Sequence, residues 1–209
     1  MNTCRKPVTY GCSLLGALGL AAEYRRRLAC ACERIELTGQ LRRRRFNWQA
    51  PEETCLELLA VPRTEVVSPD QPGLGEYRRD HLREAVLELV DSKEFTAPEE
   101  EGLWRTRGRY RLVNEVCELV IWVAEARSFG SHWLWRTGSR RHNEWLCDRA
   151  RRRGLCWVVG SGLCTGLRTC GAEEEAIYHG LGLRFVPPEL REAGRYEESQ
   201  FDLAGEEEP

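Results

Sequence analysis

The sequence contains almost no lysine: Lys6 and Lys93 are the only two among its 31 basic residues, and the rest are arginine. It also has no apolar run long enough to cross a bilayer, so we expect no membrane span. Residues 12–22 are apolar but short and rich in glycine, and they lack a convincing cleavage motif. We therefore expect no secretory signal and a cytoplasmic location.

The ten cysteines include no Cys-x-x-Cys pair, and Cys30 and Cys32 are too close together for a usual zinc knuckle. In a cytoplasmic protein we expect reduced thiols. Four cysteines are close in sequence, and we interpret them as small buried apolar residues rather than as a zinc site: Cys147, Cys156, Cys164 and Cys170.

The formal net charge is only −2, but the charges are unevenly distributed. Arginines are concentrated at residues 25–27, 42–45, 140–141 and 149–153, and acidic residues at 99–101, 173–175 and 206–208. A nearly neutral total can hide a basic face that binds a polyanion. Arginine suits such a face because its guanidinium makes bidentate contacts with phosphate. The alternative interpretation of residues 42–45 is a solvated turn.

Periodicity and turn residues predict an α/β sheet unit followed by a small α+β unit. We predict helices over residues 13–32, 76–91, 128–135, 139–153 and 172–183, and strands over 34–39, 55–61 and 116–124. We predict hairpins around Gly108 and around Gly160 and Gly162. The boundary near Ala126 gives domains of residues 1–125 and 126–194, followed by a disordered acidic tail over 195–209.

Two segments of the second half are specific enough to indicate a family: "SFGSHWLWRTGSRRHNEWLCDRARRRG" from Ser128 and "EEEAIYHGLGLRFVPPELRE" from Glu173. Their order and spacing resemble the thumb of family X DNA polymerases, most closely the bacterial and archaeal type. In the first half, "LLGALGLAAEYRRRL" resembles the helix that enters the palm, and "RIELTGQLRRRR" resembles the Gly-Ser-Leu-Arg-Arg turn of the family. The resemblance covers residues 14–192 and includes neither the DNA-gripping domain, nor the fingers, nor the phosphoesterase domain.

The resemblance implies an α+β fold: a nucleotidyltransferase-type palm, with a mixed sheet and flanking helices, followed by a small α+β thumb. It also implies DNA repair synthesis from deoxynucleoside triphosphates on gapped or primer–template DNA. The implied cofactor is Mg²⁺, with Mn²⁺ as a substitute. Two such ions lie about 4 Å apart and are held by carboxylates.

The family places these carboxylates as an Asp-x-Asp pair on one strand and a third Asp on the neighbouring strand. In this sequence the pair falls at Cys55 and Glu57, and the third position falls at Val120, which cannot bind a metal. The match needs a short insertion before Cys55, so Glu52 and Glu53 remain alternatives. Glu118 can contribute only if the strand register shifts by two residues. The candidates are Glu57 and Glu118 for catalysis, and Glu57 and Glu53 for metal binding.

Other positions of the implied site have changed or have a simpler interpretation. Gln40 replaces a Ser that binds the triphosphate, and Cys147 replaces an Arg that contacts the template. Asn143 is kept, although it could be only a first-turn helix residue. The implied nucleotide-binding positions are Gly39, Gln40, Arg43, Trp135, Arg136, Gly138 and Asn143. The implied DNA-binding positions are Arg42, Arg44, Arg45, Arg140 and Arg141.

These observations favour a protein of polymerase X ancestry that is catalytically impaired or inactive and acts as a DNA-binding palm–thumb module. An active metal-dependent nucleotidyltransferase that uses glutamate in place of aspartate is the first alternative. A protein-interaction scaffold is the second. The sequence leaves open whether the chain is an enzyme and whether a partner protein supplies the missing domains.

Overall fold

The computed structural model describes residues 13–45, 55–68, 76–97, 108–115, 117–158, 162–165, 168–192 and 201–203. The chain divides into two compact units, one of residues 1–37 and 47–123 and the other of residues 38–46 and 124–209. The sequence assigned residues 38–46 to the first domain, and this assignment is wrong. The side-chain partners of this segment lie in the second unit.

The α-helices are α1 Leu14–Leu28, α2 Gly39–Arg42, α3 His81–Asp91, α4 Phe129–Thr137, α5 Arg140–Arg152 and α6 Glu174–Gly180. The strands are β1 Cys32–Leu37, β2 Leu56–Pro62, β3 Thr64–Val67, β4 Tyr77–Asp80, β5 Arg109–Val113, β6 Glu118–Val123, β7 Cys156–Val158, β8 Gly162–Thr165 and β9 Arg168–Cys170. None of the helices in the described part of the chain combines the length and the hydropathy that a bilayer crossing requires.

Helix α1 begins where the sequence predicts it. The Ser13 hydroxyl accepts a hydrogen bond from the Gly16 amide at 2.9 Å, which caps the helix. Ala17, Ala21 and Leu28 recur at helical spacing and are buried. The helix ends at Leu28, and residues 29–31 continue it as one 3₁₀ turn before β1.

The first unit contains a mixed sheet with the strand order β1-β2-β6-β5. Strand β2 is antiparallel to β1 and parallel to β6, while β5 is antiparallel to β6. The central strands are apolar because they are covered on both faces, and Leu56, Leu58 and Leu59 have no exposed surface. The predicted α+β class with a mixed palm-type sheet is confirmed.

The helix predicted over residues 76–91 is wrong in its first turn. Residues 77–80 form β4, which pairs with β3, and the helix begins only at His81. Asp80 explains the switch, because its carboxylate accepts a hydrogen bond from the Arg83 amide at 3.0 Å and caps α3. The hairpin predicted around Gly108 falls partly on residues outside the described ranges, and β5 pairs with the following β6.

In the second unit, α4, α5 and α6 pack around an apolar core that includes Leu134, Leu146 and Tyr178. Gly130 of α4 lies directly against the backbone before α6, where a β-carbon would overlap Glu173 and Glu174. The amide of Gly130 donates to the carbonyl of Ala172 at 2.9 Å. Only glycine allows this close approach.

The second unit also contains the sheet β7-β8-β9. Strands β7 and β8 form the predicted hairpin, although Gly160 and Ser161 at its tip lie outside the described residues. The interpretation of the nearby cysteines as buried apolar residues is wrong for Cys156, which is exposed. Successive side chains of a strand point to opposite faces of the sheet. Trp157, the next residue, packs against the core, so the Cys156 side chain points away from the core.

Part of the segment predicted as a disordered tail is ordered. Asp202 forms a β-bridge with Leu183, and its carboxylate lies 3.1 Å from a guanidinium nitrogen of Arg149. The Arg184 amide donates to the Phe201 carbonyl at 2.6 Å. The prediction from composition gave weight to the acidic run and missed the two apolar residues before it, Phe201 and Leu203. Residues 195–200 and 204–209 lie outside the described part.

Candidate functional site

Two neighbouring strands of the first unit carry the predicted carboxylate positions. On the parallel strands β2 and β6, Glu57 is the direct partner of Val120. Paired residues of adjacent strands share one face of a sheet, so both side chains lie on the same face. Val120 is 4% exposed. The strand register therefore places an apolar side chain beside Glu57, and Glu118 is opposite Val113 of β5 instead.

The two glutamates of this face have partners within the sheet. The indole nitrogen of Trp122 donates to Glu57 Oε2 at 2.8 Å. Arg111 Nε donates to Glu118 Oε1 at 2.6 Å, and both of these side chains are mostly shielded from solvent. A charge-assisted hydrogen bond of this length is among the stronger contacts in a protein. Glu118 is therefore engaged by an internal cation.

Cys55, at the implied first aspartate position, is a neutral thiol. Burial raises the pKa of Cys55 to about 12, and the negative charges of Glu57 and Glu118 add to the shift. A thiol that keeps its proton is a poor metal ligand, because binding requires the thiolate. Magnesium in any case prefers oxygen ligands.

The described residues do not fit a two-metal centre. No group of three His, Cys, Asp or Glu side chains within the described ranges could hold a metal ion. Val120 contributes no ligand, Cys55 offers sulfur where magnesium prefers oxygen, and Arg111 holds Glu118. The alternative carboxylates, Glu52 and Glu53, lie outside the described residues. This arrangement differs from the ligand set that the resemblance implies.

The arginine run after β1 belongs to the second unit. Arg42 donates to both carboxylate oxygens of Glu174, at 2.6 and 3.1 Å, and to the Thr137 hydroxyl at 2.7 Å. Its guanidinium also lies 3.5 Å from the centre of the Trp133 ring. Because the Arg42 side chain is only 11% exposed, it is not available to a phosphate in this structure. The prediction of a DNA contact for Arg42 is therefore not supported.

A second arginine completes this buried ion cluster. Arg191 Nη1 donates to Glu174 Oε1 at 2.6 Å, and neither side chain is exposed. Burial alone would raise the pKa of Glu174, but Arg191 and Arg42 outweigh it and hold the pKa below its ordinary value. Glu174 is therefore ionised between two guanidinium groups, and the cluster fixes α6 to the segment at residues 38–46.

The other three arginines of the run differ in exposure. Arg43 donates through Nε to Glu192 at 2.6 Å and also donates to the Thr137 carbonyl. Arg44 and Arg45 are about half-exposed, at 57% and 47%, and lie at the longer distances of 3.8 and 3.7 Å from carboxylates. Exposed ion pairs of this kind are weak, so these two side chains can turn to a phosphate.

The Thr-Gly-Ser turn leads into α5 as the sequence predicts. The Ser139 hydroxyl accepts from the His142 amide at 3.4 Å and caps the helix. Gly138 has φ +60°, a conformation that side chains disfavour. Asn143 donates to the Trp135 carbonyl at 2.8 Å, while its side-chain oxygen is buried and has no hydrogen-bond partner among the described residues. Asn143 thus closes the turn and keeps one unused acceptor.

The remaining implied nucleotide positions are near this turn but differ in exposure. Trp135 is 37% exposed and makes an edge-on contact with Trp157, with ring centres 5.4 Å apart. Gln40 is exposed, Arg136 is half-buried and Gly39 is buried. Trp135, the aromatic residue of this set, therefore presents part of its ring to solvent.

His142 is a packing residue, as its position on the apolar side of α5 suggests. It is 2% exposed, and its Nε2 lies 2.6 Å from the Tyr178 hydroxyl. Burial lowers the pKa of His142 to about 3, with a smaller contribution from the positive charges of Arg191 and Arg43. The imidazole is neutral and does not act as a proton donor to a ligand.

The outer face of α5 carries the predicted DNA-binding arginines. Arg140 is 93% exposed and pairs with Glu144 one turn further on, at 2.8 Å. Arg141 is also exposed. The sequence did not identify Glu174 and Glu192 as partners of the arginine run. No local pattern identifies them, because about 130 to 150 residues separate the pairs.

Comparisons with known proteins agree with these features. Residues 132–192 match the family model described as the DNA polymerase beta thumb. The fold is similar to that of Leishmania infantum polymerase beta in a ternary P/T complex, with a TM-score of 0.60 and 16% sequence identity. The match covers 86% of this chain and 76% of that chain. No curated protein matches the sequence. The resemblance to a family X palm and thumb is confirmed.

Proposed function

We propose that this palm–thumb protein binds DNA and does not transfer nucleotides. One observation carries the proposal: Val120 lies beside Glu57, at the position where a third carboxylate is required. The nearest alternative, Glu118, accepts a short hydrogen bond from Arg111. Metal ligands displaced by about 1 Å can cost ~10²-fold in rate, and a missing ligand costs more. Arg111 occupies Glu118 with a positive charge that a metal ion would otherwise supply. This is why we expect the palm to have no transfer activity.

The exposed arginines of the second unit support the binding part of the proposal. Arg44, Arg45, Arg140 and Arg141 keep their guanidinium groups at the surface. Such groups contact phosphates without reading sequence, and they release counterions on binding. We expect affinity in the non-specific range, with a dissociation constant of about 1 μM or weaker and a steep dependence on salt.

A working nucleotidyltransferase is the second candidate, and Glu57 favours it. This carboxylate is only half-buried and lies on the face where transfer would occur. The enzyme would use Glu57 with Glu53, and Mg²⁺ or Mn²⁺ would have to bind there. Glu53 lies outside the described residues. The two candidates make opposite predictions for nucleotide incorporation.

The test of the transfer step is single-nucleotide incorporation into DNA with a one-nucleotide gap, with Mg²⁺ and then Mn²⁺, at protein in excess over DNA. We expect no product. Incorporation that Glu57→Ala abolishes would overturn the proposal and establish the second candidate. Incorporation that Glu57→Ala leaves unchanged would indicate a contaminating polymerase, which a second purification must remove before the result counts.

The test of binding is fluorescence anisotropy of the same gapped duplex over a series of salt concentrations. The double variant Arg140→Ala/Arg141→Ala should weaken binding and reduce the salt slope by about 0.9 for each phosphate that the variant no longer neutralises. The matched control is Arg25→Ala/Arg26→Ala on α1 of the first unit, which should leave the slope unchanged. Binding that does not respond to salt would contradict the proposal and favour a protein-interaction scaffold.

A further inference from the structure

Two cysteines of the second unit face each other across a hairpin. Cys156 of β7 is the direct partner of Cys164 of the antiparallel strand β8. Cys156 is exposed and Cys164 is half-buried, and both are free thiols. Their neighbours along the strands, Trp157 on β7 and Leu163 on β8, are also paired with each other. These two side chains point to the opposite face and pack against the core. The two thiols therefore lie together on the outer face of the sheet.

The pairing geometry suits a disulfide. Directly opposed residues of antiparallel strands have β-carbons about 4.5–5.5 Å apart. A disulfide spans α-carbon separations of about 4.4–6.8 Å, and its β-carbons lie slightly closer than those of an open pair. The Cys164 sulfur lies 3.7 Å from the Gly162 carbonyl on its own strand, which is at most a weak contact. A rotation of this side chain turns the sulfur across the hairpin without a change of strand register.

The other described thiols are less suited to oxidation. Burial raises the pKa of Cys32 and Cys117 to about 12, so both keep their protons. Cys30 is exposed but lies in a 3₁₀ turn and has no cross-strand partner among the described residues. Cys147 of α5 is the one competitor near Cys156, and burial raises its pKa, to which Asp148 and Cys156 contribute. Exposure and the cross-strand partner Cys164 together favour Cys156 as the first residue oxidised.

We propose that Cys156 and Cys164 form a redox dithiol whose oxidant is a hydroperoxide. In the first step the Cys156 thiolate attacks one oxygen of hydrogen peroxide, the O–O bond breaks, and a sulfenic acid and water result once a proton is taken up. In the second step the Cys164 thiol attacks the sulfenic sulfur, water leaves, and the disulfide forms. Two thiols and one peroxide give one disulfide and two waters. A thiol reductant restores the open pair.

The disulfide would join the two strands of the hairpin on its solvent side. This property does not depend on DNA binding or on the palm, because it involves one sheet of the second unit. Cytoplasmic disulfides are generally transient and redox-sensing rather than structural. The site therefore adds a reversible modification to the second unit.

The test is peptide mapping of the full chain after brief treatment with hydrogen peroxide and alkylation with N-ethylmaleimide. Trypsin releases both cysteines in one peptide, residues 154–168, while Cys147 is in another, residues 142–149. We expect the peptide 154–168 without maleimide and two hydrogen atoms lighter. A reductant added before alkylation should restore two maleimide groups. Recovery of this peptide with both maleimide groups at a peroxide dose that oxidises Cys30 would overturn the proposal.

Two variants test the partner of Cys156 and the specificity of the disulfide. Cys164→Ser leaves Cys156 without its partner, so a dimedone-trapped sulfenic acid should accumulate on the peptide 154–168. Cys30→Ser is the matched control at another exposed thiol and should leave the disulfide unchanged. A cross-link between peptides 142–149 and 154–168 in the unmutated chain would show that Cys147 is the true partner and would also overturn the proposal.

Discussion

Arg111 of β5 and Glu118 of β6 lie side by side on the face of the sheet that carries Glu57, and their charged groups are 2.6 Å apart. The resemblance places metal ions on this face, and these ions would provide the positive charge. In this protein the Arg111 side chain provides a positive charge next to Glu118. The palm can therefore fold around its carboxylates without a divalent ion, and the stability of the unit should depend on Arg111.

Removal of that side chain gives the first prediction. Arg111→Ala leaves Glu118 partly buried without its cation, and we expect a loss of about 1–3 kcal/mol in unfolding free energy. Urea denaturation followed by tryptophan fluorescence measures it. Arg127→Ala is the control, since Arg127 pairs with Glu125 at the similar distance of 2.7 Å but is 84% exposed. That change should cost about 0.5 kcal/mol or less, and equal losses in both variants would contradict the prediction.

The buried ion cluster gives the second prediction. Glu174→Gln leaves Arg42 and Arg191 inside the second unit without their shared carboxylate. Breaking a buried ion pair from one side costs about 3–5 kcal/mol. The control is Glu175→Gln, at the next residue of α6, which is exposed and should change stability by about 0.5 kcal/mol or less. Similar unfolding midpoints for the two variants would show that the cluster contributes little.

The third prediction concerns acid. The folded state holds the pKa of His142 at about 3, whereas the unfolded chain binds this proton near pH 6.5. The folded pKa is the lower one, so below about pH 6.5 the unfolded chain takes up a proton that the folded state does not bind. Unfolding free energy should therefore decrease below about pH 6.5, by up to ~1.4 kcal/mol per pH unit.

His142→Gln should remove most of this dependence, even if the variant is less stable at every pH. His179→Gln is the control because His179, on α6 of the same unit, is exposed. Denaturation midpoints measured between about pH 7 and about pH 4 distinguish the two. The same slope in both variants would mean that His142 is accessible to protons in the folded state.

The fourth prediction compares two glycines of helices. Gly130→Ala places a β-carbon on the backbone of Glu173 and Glu174, neither of which can move without separating α4 from α6. We expect a loss of at least about 3 kcal/mol, at the upper end of overpacking costs. Gly19→Ala in α1 meets nothing within 4 Å and should gain about 0.5–1 kcal/mol. Thermal unfolding of both variants checks the two signs.

Much of the fold could be predicted because its signals are local. The serine caps of α1 and α5 and the apolar runs of β2 and β6 each depend on residues a few positions apart. Strand β4 could not be predicted, because "EYRRD" has no apolar alternation and becomes a strand only by pairing with β3. Propensity is a weak signal for such a strand.

The candidate site also has one part that the sequence could predict and one part that it could not. Counting from the Ser-Phe-Gly match placed the third carboxylate position at Val120, and strand pairing sets Val120 beside Glu57. The role of the arginine run could not be predicted. Whether an arginine faces a phosphate or a buried carboxylate depends on contacts between distant parts of the chain, such as that between Arg42 and Glu174.

The assignment of residues 38–46 to the second unit has a consequence for synthesis on the ribosome. Arg42 and Arg43 leave the exit tunnel well before their carboxylate partners, Glu174 and Glu192. The second unit cannot complete these ion pairs until residue 192 has been translated and has left the tunnel. For the same reason, a fragment that begins at residue 126 would lack Arg42 and Arg43, the internal cations that pair with Glu174 and Glu192. An exchange of either half between homologues would therefore have to keep these arginines and carboxylates matched.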